Sequence, residues 1–264
     1  AGQPGLTVQV SSREQLTEHL LDSETSMLYV PLHILAADAK LCQALAARGR
    51  VAAVLPRIVH DDELPRLRNR MSQVRALGIR DALVGNIGLL IPAKETGFRL
   101  RGDFGLNIFN SASANVLRDL KLASATLSFE MTLPQVRDIS KAVNMELIAY
   151  GRLPLMITEQ CLIKNKTGEC ACQSGVPVKL TDKTGADFPV IKEADTCRSL
   201  LLNGKKLYWL DRQNDLAKLG LWAIRLNFTT ENAREVDRVL EEYLVPTSFD
   251  PGACTRGLYL RGVE

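Results

Sequence analysis

The chain has 264 residues, of which 46% are hydrophobic and 24% are charged, and its 33 Lys and Arg against 30 Asp and Glu give a net charge of +3. This composition is typical of a globular protein with its own core, and the small net charge argues against a protein built around nonspecific phosphate contacts. No apolar run approaches the roughly 18 residues of a membrane span, and the first residues lack a secretory signal pattern, so we expect a cytoplasmic protein.

Short apolar runs of strand-forming residues recur along the chain, with helical patterns between them. The predicted strands are residues 6–10, 27–30, 51–55, 82–84, 100–106, 125–129, 145–150 and 221–226. Capping boxes are predicted at Ser11 to Glu14 and at Thr132 to Gln135, and the last helix is predicted to begin near Glu231. Alternating strands and helices predict a parallel sheet, and eight such units predict a single (β/α)8 TIM-like barrel domain over residues 1–264, with an open doubly wound sheet as the alternative.

One segment interrupts this alternation. Residues 151–220 separate the seventh and eighth predicted strands, and they contain short strand-like runs at 176–180, 188–191 and 206–210. A long insertion inside a compact domain is usually functional. This one leaves the carboxyl end of a barrel strand, where such barrels place their active sites. We therefore expect a small β insertion beside the active site.

Four of the six cysteines lie in this insertion, namely Cys161, Cys170, Cys172 and Cys197. Four thiolates suit a tetrahedral zinc site or a cubane iron–sulfur cluster. The alternative is that some of them are buried small hydrophobic residues. Cys42 lies in an apolar helical pattern and is predicted to be core, whereas Cys254 is an alternative fourth ligand.

Several motifs in the second half of the chain resemble one known family. They are LNIFNS (106–111), SFEM (128–131), YGRLPLM (150–156), LTDKTGADFPV (180–190), CRS (197–199) and TRGLYLRG (255–262). They resemble the collagenase-like peptidase family, which also contains the iron–sulfur tRNA and rRNA hydroxylation proteins and the ubiquinone-hydroxylation proteins. The resemblance implies a barrel, a 4Fe–4S cluster on the four insertion cysteines, and further domains in a longer protein. The Cys-Ala-Cys spacing of the middle pair is narrower than the family pattern.

Polar residues at the predicted strand ends are the candidate site residues, because side chains converge there. We assign catalytic roles to Glu130, Arg152 and Asn107 and substrate binding to Asn110, Arg57 and Asn86. Asn227 and His60 also follow strands, although His60 fits a surface loop better. Glu130 has an alternative role at a helix N-terminus, and Arg152 has an alternative role as the ion-pair partner of Glu130.

The positively charged residues Arg66, Arg68, Arg70 and Arg75 share one predicted helix, which reads either as a solvated face or as an RNA-facing strip. The motifs HExxH and GxSxG and a glycine-rich phosphate loop do not occur, so the common peptidase, hydrolase and nucleotide-cleaving mechanisms lack their residues.

Three functional hypotheses follow from these residues and the resemblance. The first is an iron–sulfur hydroxylation enzyme that acts on RNA or on a small aromatic molecule. The second is a collagenase-like peptidase, as the family name says. The third is a non-catalytic barrel retained for binding, with zinc or no metal at the cysteine site.

Overall fold

The computed structural model describes residues 2–168, 178–193, 196–245 and 250–262. Seven parallel strands follow one another around a barrel, each hydrogen-bonded to the next. They are β1 (Gly5–Gln9), β2 (Met27–Pro31), β3 (Val51–Val54), β4 (Asp81–Val84), β5 (Arg99–Gly102), β6 (Ser124–Thr126) and β7 (Asn144–Gly151).

Helices connect these strands and cover the outside of the barrel. They are α1 (Glu18–Asp22), α2 (Leu32–Ala37), α3 (Ala39–Ala47), α4 (Leu64–Ala76), α5 (Leu90–Glu95), α6 (Ser111–Asp119) and α7 (Leu133–Asp138). The capping box predicted at Thr132 and Gln135 is present at the start of α7. The first box is shifted by one residue to Ser12 and Gln15, because the buried Gln15 side chain also donates to the carbonyl of Glu231, at 2.8 Å.

The insertion follows β7, as predicted, and forms its own antiparallel sheet. Its elements are β8 (Pro154–Thr158), α8 (Leu162–Thr167), β9 (Val178–Thr181), β10 (Asp187–Lys192) and β11 (Ser199–Leu202), and the sheet order is β8-β11-β10-β9. Sequence patterns missed β8 and β11. The neighbouring residues Leu155 and Met156 of β8 are both half exposed. The strand therefore lacks the alternation of buried and exposed residues from which a strand is predicted.

The chain then returns to the barrel through β12 (Lys206–Tyr208) and α9 (Gln213–Ala217). The run predicted as an insertion strand at 206–210 is β12, which pairs antiparallel with the carboxyl end of β7. It therefore extends the barrel sheet and is not part of the insertion sheet. The amide of Asn203 donates to the carbonyl of Leu153 at 2.9 Å, so the insertion begins and ends at neighbouring residues.

The eighth barrel strand, β13 (Ala223–Asn227), closes the structure. It pairs in parallel with both β1 and β7, which confirms the closed (β/α)8 barrel over the open sheet. Helix α10 (Ala233–Leu244) and the short strand β14 (Cys254–Thr255) follow. In the part of the chain that the structure describes, no helix is both long and apolar enough to cross a membrane.

The main apolar core lies between the strands and the helices, whereas the inside of the barrel contains a polar network. The Arg225 side chain is fully buried there, pairs with Glu146 and donates to Asp103 at 2.7 Å. Glu146 also accepts hydrogen bonds from Thr7 at 2.6 Å and from Tyr29 at 2.9 Å. Burial and the neighbouring Glu146 carboxylate raise the pKa of Tyr29. The barrel strands are therefore held from inside by a charged pair and its hydrogen bonds.

Replacing Arg225 by Met is expected to lower the free energy of unfolding by about 3–5 kcal/mol, because it leaves the Glu146 and Asp103 carboxylates buried without their cation. Urea denaturation at pH 7 measures this loss. The control is Arg118→Met, which changes an exposed arginine of α6 and should alter stability by less than about 0.5 kcal/mol. Equal effects of the two substitutions would contradict the structural role assigned to Arg225.

Candidate functional site

A cavity of about 650 Å³ lies at the carboxyl ends of the barrel strands. Its walls come from the ends of β1, β2, β3, β5 and β13, from helix α4, and from the insertion strands β8, β10 and β11. This is the size of a small-molecule or single-residue binding site. The insertion therefore forms one wall of the cavity at the barrel face where TIM barrels carry their active sites.

Cationic side chains are frequent in the cavity wall. They are Arg57, Arg66, Arg70, Arg152, Lys192 and Arg198. Five acidic side chains also line it. Glu63 and Glu159 pair with Arg198, and Asp103 pairs with Arg225 beneath the cavity. The other two are Asp62 and Glu193. The cationic side chains suit a ligand that carries a negatively charged group.

Arg198 joins the insertion to the barrel. Its side chain is 3% exposed, and it contacts Glu63 before α4 at 3.0 Å and Glu159 after β8 at 2.8 Å. His60 contacts the same Glu159 carboxylate at 3.2 Å. The hydrogen bond from Arg198 is the main cause of the lowered pKa of Glu159. These contacts fix the insertion wall against the loop after β3.

Two of the six candidate residues from the strand ends line this cavity, and both are arginines. The Arg57 guanidinium lies over the Phe104 ring, 4.8 Å from its centroid. Arg152 donates from Nη1 to the carbonyls of Asn203, at 2.9 Å, and Gly204. Among the residues described, Arg152 makes no ion pair with Glu130. The arginine is held by the backbone that leads back to the barrel.

The other four candidates are outside the cavity lining. Asn86 donates to the carbonyl of Arg57 at 3.0 Å and so supports the loop that carries this arginine. Asn110 caps α6 by accepting from the amide of Ser113 at 2.9 Å. Asn107 and Glu130 are exposed. The catalytic roles of Glu130, Arg152 and Asn107 and the substrate-binding roles of the others stay predictions.

Two of the four insertion cysteines fall within the described residues. Cys197 lines the cavity, and Cys161 is buried at the start of α8, where its sulfur accepts from the amide of Lys164 at 3.4 Å. Cys170 and Cys172 lie outside the described residues. Thr158 of β8 is opposite Ser199 of β11, so Cys161 and Cys197 lie at the same end of this strand pair.

No group of three or more potential metal-ligating side chains occurs within the described ranges. Of the remaining cysteines, Cys42 is fully buried, as predicted, and burial raises the pKa of its thiol. Cys254 is partly buried in β14, outside the insertion.

The arginines of α4 divide into two sets. Arg66 and Arg70 line the cavity. Arg68 pairs with Glu95 at 3.0 Å, and Arg75 donates to the carbonyl of Gly97 at 3.0 Å. The helix therefore presents both a cavity-facing pair and a pair that contacts the neighbouring α5 region.

Residue patterns alone missed the polar groups beneath the cavity, notably Gln9, Asp103 and Arg225. Their only sequence signal is a polar or charged residue within an otherwise apolar strand, as in Ile224-Arg225-Leu226. Such a residue must be paired if it is buried. That signal identifies a buried network, but it does not tell which residues complete it.

The closed barrel, with a cavity at the carboxyl ends of its strands and an insertion over it, defines a protein of the TIM-barrel class. The model of the family described as Peptidase family U32 matches residues 36–245. The chain therefore belongs to peptidase family U32.

The curated and solved relatives agree with this assignment. The 23S rRNA 5-hydroxycytidine synthase of Escherichia coli (strain K12) is 26% identical over an alignment of 149 residues, which covers 52% of this chain and 22% of that protein. The chain thus spans less than a quarter of the length of this relative. A U32 peptidase of solved structure has a TM-score of 0.51 at 12% identity and covers 88% of this chain and 95% of its own.

A tryptophan synthase α-subunit from Pyrococcus furiosus also has a TM-score of 0.51 at 12% identity, with 92% of this chain and 98% of that chain covered. At this identity the two solved structures support the barrel fold alone.

The acidic residue Glu193, in the cavity wall, makes the free energy of unfolding depend on pH. One of its carboxylate oxygens is buried and makes no hydrogen bond to any described residue, and burial raises the pKa of the group. Below the pKa of the unfolded chain, this side chain is neutral in the folded and the unfolded protein. At higher pH it ionises more readily in the unfolded protein, so the wild-type carboxyl group destabilises the fold there. Glu193→Gln should therefore stabilise the protein more at pH 7 than at pH 4.

Urea denaturation of both proteins at the two pH values measures this difference. Glu241→Gln, at an exposed position of α10, is the control substitution. A gain from Glu193→Gln that is larger at pH 4 would show that the carboxylate is favoured in the folded state.

Proposed function

We propose that this protein takes part in RNA modification, as a hydroxylation enzyme that acts on a base presented to the cavity. The observation that carries the proposal is the cavity itself, which combines several arginine side chains with an insertion that places Cys197 at its surface. The similarity to an rRNA 5-hydroxycytidine synthase supports the same substrate class. An RNA substrate would also agree with the cytoplasmic location that the sequence predicts.

The arginine side chains of the cavity favour RNA over a small neutral aromatic molecule. Arg66 and Arg70 of α4 and Arg57 after β3 lie around one cavity, where they can contact the phosphates next to an inserted base. The Arg57 guanidinium over Phe104 adds a flat surface of the kind on which unstacked bases pack. This proposal keeps Arg57 as a substrate-binding residue and gives a substrate-binding role to Arg152, which the sequence predicted to be catalytic.

For the cofactor we propose a 4Fe–4S cluster held by Cys161, Cys170, Cys172 and Cys197, with zinc as the alternative. Three features of the described residues fit it: the two thiols lie at one end of the β8–β11 pair, a backbone amide donates to the Cys161 sulfur, and Cys197 borders the cavity. When bound, such a cluster supplies electron transfer. Hydroxylation replaces a C–H bond by C–OH, so the reaction also needs an oxygen-donating co-substrate.

Anaerobic purification followed by iron, sulfide and zinc analysis tests the cofactor. We expect about four iron atoms and about four acid-labile sulfides per chain. Substitution of Cys161 or Cys197 by Ser should remove most of both, whereas Cys254→Ser should leave them unchanged because Cys254 lies outside the insertion. Stoichiometric zinc, or a protein without metal, would contradict the cluster. Iron loss in Cys254→Ser would assign this residue as a ligand instead.

Nucleoside mass spectrometry tests the activity. RNA from cells that lack the gene should lose a nucleoside whose mass exceeds that of its parent by one oxygen atom, and the wild-type gene should restore it while the Cys197→Ser gene should not. Unchanged nucleosides together with cleavage of gelatin by the purified chain would favour the peptidase hypothesis. Unchanged nucleosides without cleavage would favour a binding role.

Salt dependence of RNA binding tests the role of the cationic wall. Arg66→Gln should weaken binding of single-stranded RNA and reduce the slope of log affinity against log salt by about 0.7, the value for one lost phosphate contact. Arg68→Gln is the matched control, because Arg68 lies on the same helix but pairs with Glu95 away from the cavity. Equal slopes for the wild type and Arg66→Gln would show that this residue makes no phosphate contact.

A further inference from the structure

The floor of the cavity is formed by three polar side chains from three strand ends. Gln9 is the last residue of β1, Asn227 is the last residue of β13, and Asp103 directly follows β5. All three line the cavity. Asp103 is 4% exposed and Asn227 is 6% exposed, so both are almost entirely removed from bulk water.

Arg225 fixes the orientation of two of these side chains from below. Its Nη1 donates to Asp103 Oδ1 at 2.7 Å and to Gln9 Oε1 at 2.8 Å. Because a guanidinium only donates, the Gln9 oxygen must face it, and the Gln9 amino group is turned away. The amide of Phe104 also donates to Asp103 Oδ1, at 2.9 Å. Asp103 Oδ2 is therefore the carboxylate oxygen that these bonds leave unused.

Hydrogen-bonding capacity remains on all three side chains. The bonds from Arg225 and Phe104 engage Gln9 Oε1 and Asp103 Oδ1, so the Gln9 amino group, Asp103 Oδ2 and the Asn227 amide are left to face the cavity. Gln9 and Asn227 are register partners on adjacent strands, so their Cα atoms lie one strand spacing apart. Gln9 Oε1 and Asp103 Oδ1 are joined through one nitrogen of Arg225. The floor thus presents a carboxylate acceptor, an amino donor and an amide within one small area.

We infer that Gln9, Asp103 and Asn227 form a subsite for a neutral planar group that carries a hydrogen-bond donor beside an acceptor. The edge of a nucleobase is such a group. A phosphate or carboxylate would be repelled by Asp103, whereas an exocyclic amine donates to Oδ2 while a ring nitrogen or carbonyl accepts from an amide. The cationic side chains line the same cavity. The inference rests on the proposed function, since it assigns the base to Gln9, Asp103 and Asn227 and the phosphates to the cationic side chains.

Asn227→Ala is the variant that tests this subsite, because Asn227 lines the cavity at the end of β13 and is not one of the side chains bonded to Arg225. The probes are a five-residue oligocytidine and an abasic five-residue oligonucleotide of equal charge. The wild-type chain should bind oligocytidine more tightly than the abasic probe, and Asn227→Ala should reduce this ratio about fivefold, the effect of one or two hydrogen bonds.

Affinity for the abasic probe should stay unchanged in this variant. The matched control is Asn144→Ala, which changes an exposed asparagine at the opposite end of barrel strand β7 and should keep the wild-type ratio. Gln9→Ala provides a second variant and should lower the ratio in the same direction. Circular dichroism and urea denaturation establish that the variants are folded.

Free cytidine, followed by NMR of the side-chain amide signals of Gln9 and Asn227, separates this subsite from the RNA proposal. Binding of both oligonucleotides with an unchanged ratio in Asn227→Ala would overturn the subsite and leave RNA binding intact. No oligonucleotide binding, but shifts of both amide signals with cytidine, would support the subsite and contradict the RNA substrate. Absence of binding and of shifts would overturn both.

Discussion

The buried pair of Arg225 and Glu146 is the interaction on which the arrangement of the barrel depends. A guanidinium with no access to solvent must be surrounded by acceptors, and here they come from β1, the end of β5, β6 and β7. Strands that are distant along the chain are thereby tied to one side chain. The same guanidinium orients the polar groups under the cavity, so the stability of the barrel and the chemistry of its floor share one charged residue.

The second constraint is the placement of the insertion. Gly151, at φ +123°, ends β7 where a Cβ atom would lie 2.0 Å from the carbonyl oxygen of Asn227, so the close approach of β7 and β13 requires glycine. The chain can then turn over the cavity immediately after the barrel strand. Arg198 holds the far part of the insertion against the loop before α4. Gly151 and Arg198 therefore place the insertion so that it and the barrel together form the cavity wall.

Sequence patterns predicted the barrel well because its outer core is apolar. All eight strands lie within a few residues of their predicted positions, and the insertion follows the predicted strand. The site was less predictable. Arg57 and Arg152 line the cavity, whereas Asn110 and Asn86 are accounted for by local capping. Arg225 and Asp103 are defined by partners from distant strands, and such partners cannot be read from local residue spacing.

The hydrogen bond between Leu153 and Asn203 has a consequence for how the molecule can vary. The two residues form a neck through which the intervening residues leave and rejoin the barrel. The register of β7 against β13 is set by residues on the barrel side of this neck, so changes of length or sequence beyond it are separated from that register. The fold therefore allows the insertion to be replaced by another segment while the barrel stays closed and its floor stays the same.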